Sequence, residues 1–311
     1  MSFSAEVKEE LARKNDDARH CNVAEITAIV CLGGRLSENE QHEPVMTFQT
    51  ENAAVARKYF TLLKKTYRIN ADVKILQHGS TGRNRICILT VEGRENIDKL
   101  LSNCILEDGT DTGTADGLVL RRECCRRAFI RGAFISSGSV SDPNKAYHFE
   151  IVCASPAKAA QIERVIGTFD IRARTVQRKK SYVVYVKDGS QVVDLFNIMG
   201  AHEALMNMEN IRIMKEMRNN VNRSVNCEMA NINKTVSAAS QQLEDINFII
   251  ERGEFGSMSE SLQELAQLRL ENPEATLSEL GDMLPKHVSK SGVNRRFGKI
   301  SMLADELRNR Q

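Results

Sequence analysis

At 311 residues the chain is longer than one ordinary core, and with 41% hydrophobic residues it has the apolar side chains to fill two or more. A charged fraction of 27%, only five prolines and no apolar run of membrane-span length exclude a bilayer protein and point to compact, soluble domains. The net charge of +2 is too small to mark a nucleic-acid partner, so its distribution matters more than its sum. Basic side chains gather in RRECCRRAFIR (121–131), in RARTVQRKK (172–180) and from 286 onward, where Lys286, Lys290, Arg295, Arg296, Lys299, Arg308 and Arg310 face few acids. Three such clusters favour a phosphate-tracking surface.

The opening segment, MSFSAEVKEELARK, sets acids beside lysines and has helical periodicity, whereas a secretory leader needs an apolar core, so a cytoplasmic protein is expected. Asn22-Val23-Ala24-Glu25 has the form of a capping box and opens an apolar helix that stops at Gly33-Gly34. A strand, VMTFQT (45–50), precedes a helix from Asn52 to Tyr67, where Val55, Tyr59, Leu62 and Leu63 recur at helical spacing. Two strands, ADVKILQH (71–78) and RICILTV (85–91), flank the turn GSTGRN, and a short helix from Glu95 to Leu101 closes the unit. GTDTGTADG (109–117) is almost free of apolar side chains and predicts a linker.

The same order then returns: a helix from Arg122 to Ile135, a strand YHFEIVC (147–153), a helix after Pro156, strands IRARTVQ (171–177) and YVVYVK (182–187), and a helix from Gln191 to Met199. The glycine ending the first helix recurs from Gly34 to Gly138. This predicts a duplicated α+β unit, each copy reading α-β-β-α-β-β-α, with halves at 1–108 and 118–216. The eight cysteines (Cys21, Cys31, Cys87, Cys104, Cys124, Cys125, Cys153 and Cys227) contain no C-x-x-C pair and no histidine at metal-ligand spacing. They read as small buried hydrophobes, so no metal and no cofactor is expected; adjacent Cys124 and Cys125 admit a redox pair as the alternative.

The first helix of each copy, EITAIVCLGGRL (25–36) and AFIRGAFISSGSV (128–140), resembles the motif of the LAGLIDADG homing endonucleases. That resemblance implies that the two helices pack together and that the strands form a DNA-facing saddle. In that family an acid just before the final glycine holds a catalytic metal ion, and metal-dependent phosphodiester cleavage needs such carboxylates. The matching positions are Gly33 and Ser137, neither of which can replace a carboxylate. Glu38 and Asp142 lie just downstream as possible substitutes, but acids in polar loops are usually solvated turn residues.

From His202 to Arg252 the chain has few breakers, and Leu205, Met208, Ile211, Ile213 and Met217 predict long helices with a helical linker over 217–255. Within it MRNNVNRSVNCEMANINKT (217–235) is dense in asparagine, a residue that prefers caps and turns; a solvated helix face is the plain reading. Gly253 and Gly256 end this region. Ser257-Met258-Ser259-Glu260 then has the form of a capping box before Leu262, Leu265, Leu268 and Leu270, opening a domain over 256–311. Asn272-Pro273 stops that helix, Thr276-Leu277-Ser278-Glu279 caps a short second one ending near Leu284, and Pro285 forces a turn. A third helix from about Ser289 places Val293, Phe297 and Ile300 inward.

A step of about 100° per residue then points Ser291, Asn294, Arg295 and Lys299 outward, with Lys290 and Arg296 on the flanks. Two short helices about a tight turn, the second presenting Asn and Arg, fit a helix-turn-helix whose second helix enters the major groove. Arginine can bind guanine through two hydrogen bonds and asparagine adenine, while flanking cations meet phosphate. Gly292 and Gly298 cost such a helix roughly 1 kcal/mol each unless they permit close backbone approach. A three-helix module with a solvated basic face is the alternative.

The ending SKSGVNRRFGKISMLADEL, the asparagine-rich segment and the degenerate repeat before them resemble, in that order, the WhiA family along nearly the whole chain. The resemblance implies a bacterial DNA-binding transcription regulator without catalysis, acting in sporulation in some lineages and in cell division and chromosome segregation in others. It also suggests that Arg218, Asn219, Asn222, Arg223, Asn226 and Lys234 touch nucleic acid or the neighbouring domain. The DNA-binding residues expected are Thr276, Lys286, Ser289, Lys290, Ser291, Asn294, Arg295, Arg296 and Lys299, with Arg218, Asn222, Arg223, Lys234, Arg178, Lys179 and Lys180 as secondary candidates. The partner is double-stranded DNA in the nucleoid, together with RNA polymerase or another regulator, and the chain is expected to be a monomer away from any membrane. A protein-interaction scaffold for RNA polymerase or division proteins and a residual metal-dependent nuclease are the rival readings.

Overall fold

The computed structural model describes residues 2–16, 18–78, 84–106 and 112–309; the expected turn residues 79–83, the boundary at 108, residues 109–111 of the linker and Arg310 lie outside them. Two compact units divide the chain, Met1–Lys215 and Glu216–Gln311. Among the described residues no helix is long and apolar enough to cross a membrane.

The first unit opens with α1 (Phe3–Arg13), capped by the Ser2 hydroxyl, which accepts from the Ala5 amide at 3.3 Å; Val7 and Leu11, one turn apart, are buried. Then follow α2 (Arg19–Gly33), β1 (Gly34–Glu38), β2 (Pro44–Thr50), α3 (Ala53–Tyr67), β3 (Asp72–His78), β4 (Asn84–Glu92) and α4 (Arg94–Leu101). A two-stranded pair, β5 (Cys104–Ile105) and β6 (Thr114–Ala115), precedes the second copy. That copy comprises α5 (Glu123–Ser137), β7 (Gly138–Val140), β8 (Phe149–Cys153), α6 (Pro156–Gly167), β9 (Arg174–Arg178), β10 (Ser181–Val186) and α7 (Gly189–Met199). The two sheets have the same order, β1-β2-β4-β3 and β7-β8-β10-β9, and every pairing is antiparallel. The duplicated α-β-β-α-β-β-α unit expected from the sequence is the architecture observed.

Helices α2 and α5 are both 15 residues long and pack against each other at the centre of the unit. Glycine makes this approach possible: a Cβ on Gly132 would lie 2.4 Å from the Glu25 carbonyl oxygen, and one on Gly33 would lie 2.2 Å from the Ser136 hydroxyl. Because α2 is covered on all sides, it is apolar on nearly every face, with Ala24 and Ile26 to Cys31 buried. Phe134 of α5 stacks on Phe149 of β8 with ring centroids 5.1 Å apart, fastening the second sheet to the same core.

The start of α2 differs from the expected capping box. The helix begins at Arg19 after Ala18, so Asn22 lies inside it and its side-chain amide donates to the Asp16 carbonyl at 3.1 Å. Glu25 is fully buried and holds two buried cations: Arg131 donates to both its oxygens at 3.2 and 2.9 Å, and the Lys58 ammonium lies 3.3 Å away. Arg131 also donates to Asp16 and to the Met199 carbonyl, and Lys58 to the Lys14 carbonyl. Burial pulls the Lys58 ammonium pKa down, against the raising effect of Glu25. The acid that reads locally as a helix cap is thus the centre of an ionic knot between the two copies, because a buried guanidinium requires a partner.

Helix α8 (His202–Glu251) carries the chain from the first unit into the second. The asparagine-rich segment is helical throughout, and every residue from 216 to 238 is exposed. A 3-10 turn at Phe255–Ser257 leads to α9 (Glu260–Glu271), α10 (Leu277–Met283) and α11 (Lys290–Asn309). The expected capping box at Ser257 does not form: Met258 turns into the core, and Ser259 becomes the cap position, its hydroxyl 3.4 Å from that of Ser261 rather than bonded to a helix amide. The Thr276–Glu279 capping box does form, with bonds of 2.7 and 3.3 Å in its two directions. Ile246 and Ile249 of α8 lie in the same core as Leu265, Leu280, Val293, Phe297 and Ile300, although they precede the expected boundary at 256.

Candidate nucleic-acid interface

The second unit presents α11 on a support of buried polar contacts. Arg269 of α9 is 2% exposed; its guanidinium donates to the Gln242 side chain at 3.1 Å and to the Ala275 and Pro273 carbonyls at 2.6 and 3.2 Å, and lies 5.4 Å from the Phe297 ring centre. It ties α8, the α9–α10 connection and α11 together. Asp245 of α8 accepts from Ser301 at 2.6 Å and from Arg308 at 2.8 Å, both on α11. Neither residue stands out in the sequence, since a lone Arg or Asp on a helix ordinarily faces water.

The turn between α10 and α11 is set by Gly281. A Cβ there would lie 2.1 Å from the Val288 carbonyl oxygen, and the Val288 amide donates to the Gly281 carbonyl at 3.1 Å. Ser289 then starts α11, its hydroxyl accepting from the Gly292 amide at 3.4 Å and lying 3.0 Å from that of Ser291. Gly292 sits close over Val288, where a Cβ would meet the valine methyl at 2.6 Å. Around Gly298 there is open space, so none of the described residues requires a glycine there.

The inner face of α11 is Val293, Phe297, Ile300 and Ala304, all buried. Ser291, Asn294, Arg295 and Lys299 are exposed, as are Lys286, Ser289 and Lys290 before them. Arg296 is half-buried and reaches back towards α9, its guanidinium 3.5 Å from the Ser261 carbonyl. The Thr276 hydroxyl is exposed but engaged in its own capping box. Arg218, Asn222, Arg223 and Lys234 are exposed on α8.

In the first unit, Arg178, Lys179 and Lys180 occupy the exposed end of β9 and its turn into β10, with Lys179 in the left-handed region at φ 53°. Arg178 is partly neutralised by Glu150, 3.2 Å away. Burial raises the pKa of that carboxyl, but hydrogen bonds from His148 and Ser139 and the charges of His148 and Arg178 outweigh it and hold the group below the usual carboxylate range. Of the basic run 121–131, Arg131 is internal and carries no surface charge for a partner.

Gly33 and Ser137 are the last residues of α2 and α5. A cleft of about 740 Å³ adjoins them, lined by Lys8, Glu9, Arg35, Asn52, Ser136 and Ser139 among others. Glu38 is exposed at the end of β1, with His42 3.4 Å away. Asp142 forms a turn, accepting from the Asn144 amide at 2.9 Å. Neither acid is among the residues lining the cleft.

A duplicated α-β-β-α-β-β-α core followed by a helix-turn-helix defines a LAGLIDADG-like protein with a separate helix-turn-helix domain. Family comparison agrees part by part: the WhiA N-terminal LAGLIDADG-like domain matches residues 19–106, the WhiA LAGLIDADG-like domain 126–218 and the WhiA C-terminal helix-turn-helix domain 221–304. The chain belongs to the WhiA family. It is 47% identical over 312 residues to a probable cell division protein WhiA of Lachnoclostridium phytofermentans, covering 99% of this chain and 100% of the relative. A protein of the same description from Clostridium perfringens is 45% identical, with 99% of both chains covered. Among solved structures, full-length DUF199/WhiA from Thermatoga maritima matches with a TM-score of 0.60 at 23% identity, over 98% of this chain and 99% of that one. An N-terminal LAGLIDADG domain of DUF199/WhiA matches with a TM-score of 0.51 at 20% identity, over 64% of this chain and 90% of that one.

Proposed function

We propose that this chain is a sequence-specific regulator of transcription that binds double-stranded DNA and catalyses nothing on it. The observation that carries the reading is the division of α11 into a buried face, Val293, Phe297 and Ile300, and an exposed one that aligns Ser291, Asn294, Arg295 and Lys299. Arg295 and Asn294 are the base readers, with Ser291 beside them; Lys286, Ser289, Lys290 and Lys299 meet phosphate, joined by Thr276 and Arg296 from the edges. Arg218, Asn222, Arg223 and Lys234 on α8 and Arg178, Lys179 and Lys180 on the second sheet supply further sequence-independent contacts. Related proteins described as probable cell division proteins support a regulated process in cell division; chromosome segregation and sporulation are the further settings of the proposal.

The absence of catalysis rests on Gly33 and Ser137, which bring no carboxylate to the helix ends. Selection of duplexes from a random pool tests both parts together. The protein should enrich one consensus and leave supercoiled plasmid intact in Mg²⁺ or Mn²⁺; enrichment without any consensus, or metal-dependent nicking, would overturn the reading.

A second reading, a scaffold for RNA polymerase or a division protein, is favoured by one feature. Val73, Ile75 and Leu76 of β3 are 48%, 61% and 50% exposed on a strand at the edge of its sheet. Such a partner would add to DNA binding by α11 rather than replace it.

A further inference from the structure

The cysteines that show no ligand spacing along the chain acquire it in space. His20 and Cys21 lie in the first turn of α2, and Cys124 and Cys125 in the first turn of α5. The donor atoms of all four lie within 4.8 Å of one another. The His20 Nδ1 is 3.3 Å from both the Cys21 and Cys125 sulfurs and 4.0 Å from that of Cys124. Zinc bonds of about 2.3 Å to sulfur and 2.0–2.1 Å to nitrogen, arranged tetrahedrally, put neighbouring donors roughly 3.5–3.8 Å apart, so changes of up to about 1 Å in the donor separations would close the shell.

The two pairs are also equivalent positions of the duplication. His20 and Cys124 are 104 residues apart, the same offset that separates Gly34 from Gly138. Each copy therefore contributes two adjacent donors from the start of its central helix, at the end of the helix pair remote from Gly33 and Ser137. Cys21 and Cys125 are buried, whereas His20 and Cys124 are exposed, which leaves a route for an ion to enter.

We propose that His20, Cys21, Cys124 and Cys125 form a structural zinc site that clamps the starts of α2 and α5 and so joins the two copies. Three thiolates and one neutral imidazole favour a borderline-soft ion over Mg²⁺ or Ca²⁺, and four protein donors leave no open position for catalysis. Binding replaces three S–H bonds with three Zn–S bonds and releases three protons to solvent. Burial, with Cys124 adding to it, pushes the Cys21 thiol up to about 12 and raises Cys125 as well. The resulting thiolates sit at two helix N-termini, where the backbone dipoles favour negative charge, and Arg122 acts on Cys125 in the same direction. Linear spacing conceals the site because its two halves come from different copies.

The test uses full-length protein purified under reducing, zinc-replete conditions, with bound metal measured by inductively coupled plasma mass spectrometry after gel filtration. One zinc per chain is expected, and Co²⁺ replacing it should give the visible bands of a tetrahedral ion and a thiolate charge-transfer band. Cys124→Ser and His20→Ala alter exposed positions, so the variants should keep the wild-type circular dichroism yet lose stoichiometric zinc. Cys227→Ser, which removes the other exposed cysteine, should keep it. Wild-type protein that retains no zinc and gives no cobalt–thiolate absorption would overturn the proposal. So would full zinc retention in both Cys124→Ser and His20→Ala, or a disulfide within the cluster under the same reducing conditions.

Discussion

A single guanidinium separates two kinds of binding in this account. If Arg295 holds guanine through two hydrogen bonds, Arg295→Ala should cost roughly 1–3 kcal/mol on the preferred duplex and little on others. Lys299, one turn along the same exposed face, should act on phosphate; Lys299→Ala should weaken all duplexes alike and lower the slope of log affinity against log salt by about 1. Fluorescence anisotropy over a duplex panel at several salt concentrations distinguishes the two effects, and unchanged affinity in both variants would mean that α11 faces elsewhere. The other decisive residue is Glu25. Glu25→Gln leaves Lys58 and Arg131 buried without a full countercharge, and should destabilise the first unit by about 3–5 kcal/mol in urea unfolding. A loss below about 1 kcal/mol would show that Asp16 and the carbonyl partners suffice.

Helices and strands were legible in the sequence where one periodic pattern had one cause. The α11 face could be assigned because Val293, Phe297 and Ile300 follow helical spacing and α11 packs on one side only. Thr276–Glu279 could be read as a cap because both partners lie within one turn. Asn22–Glu25 has the same spelling, but a long-range demand overrode it: Glu25 is needed by Arg131, 106 residues away. Arg269 and Asp245 were hidden for the same reason, since their partners belong to other helices.

Two glycines carry an element-level prediction. Gly281→Ala forces a Cβ against the Val288 carbonyl at the turn and should lower stability by about 1–3 kcal/mol. Gly298→Ala meets open space and should raise it by about 1 kcal/mol, with the midpoint of thermal unfolding moving in opposite directions for the two variants. If Gly298→Ala nevertheless weakens DNA binding, the glycine serves close approach to the ligand rather than the fold.

At the scale of the whole molecule, the first unit has a LAGLIDADG-like fold whose central helices end in Gly33 and Ser137, and the second places an exposed Asn-Arg-Lys face on a separate hydrophobic core. Removing 257–311 would be a poor test of that division of labour, because it strips Ile246 and Ile249 of their core along with α11. The combined substitution Ser291→Ala, Asn294→Ala and Arg295→Ala alters only exposed side chains. The most direct test is a genome-wide crosslinking map of the full-length chain with and without that triple substitution. Discrete sites sharing a sequence, lost in the variant while its abundance and unfolding midpoint are unchanged, are the predicted result; the same sites in both maps would contradict the assignment of α11 as the reader of DNA.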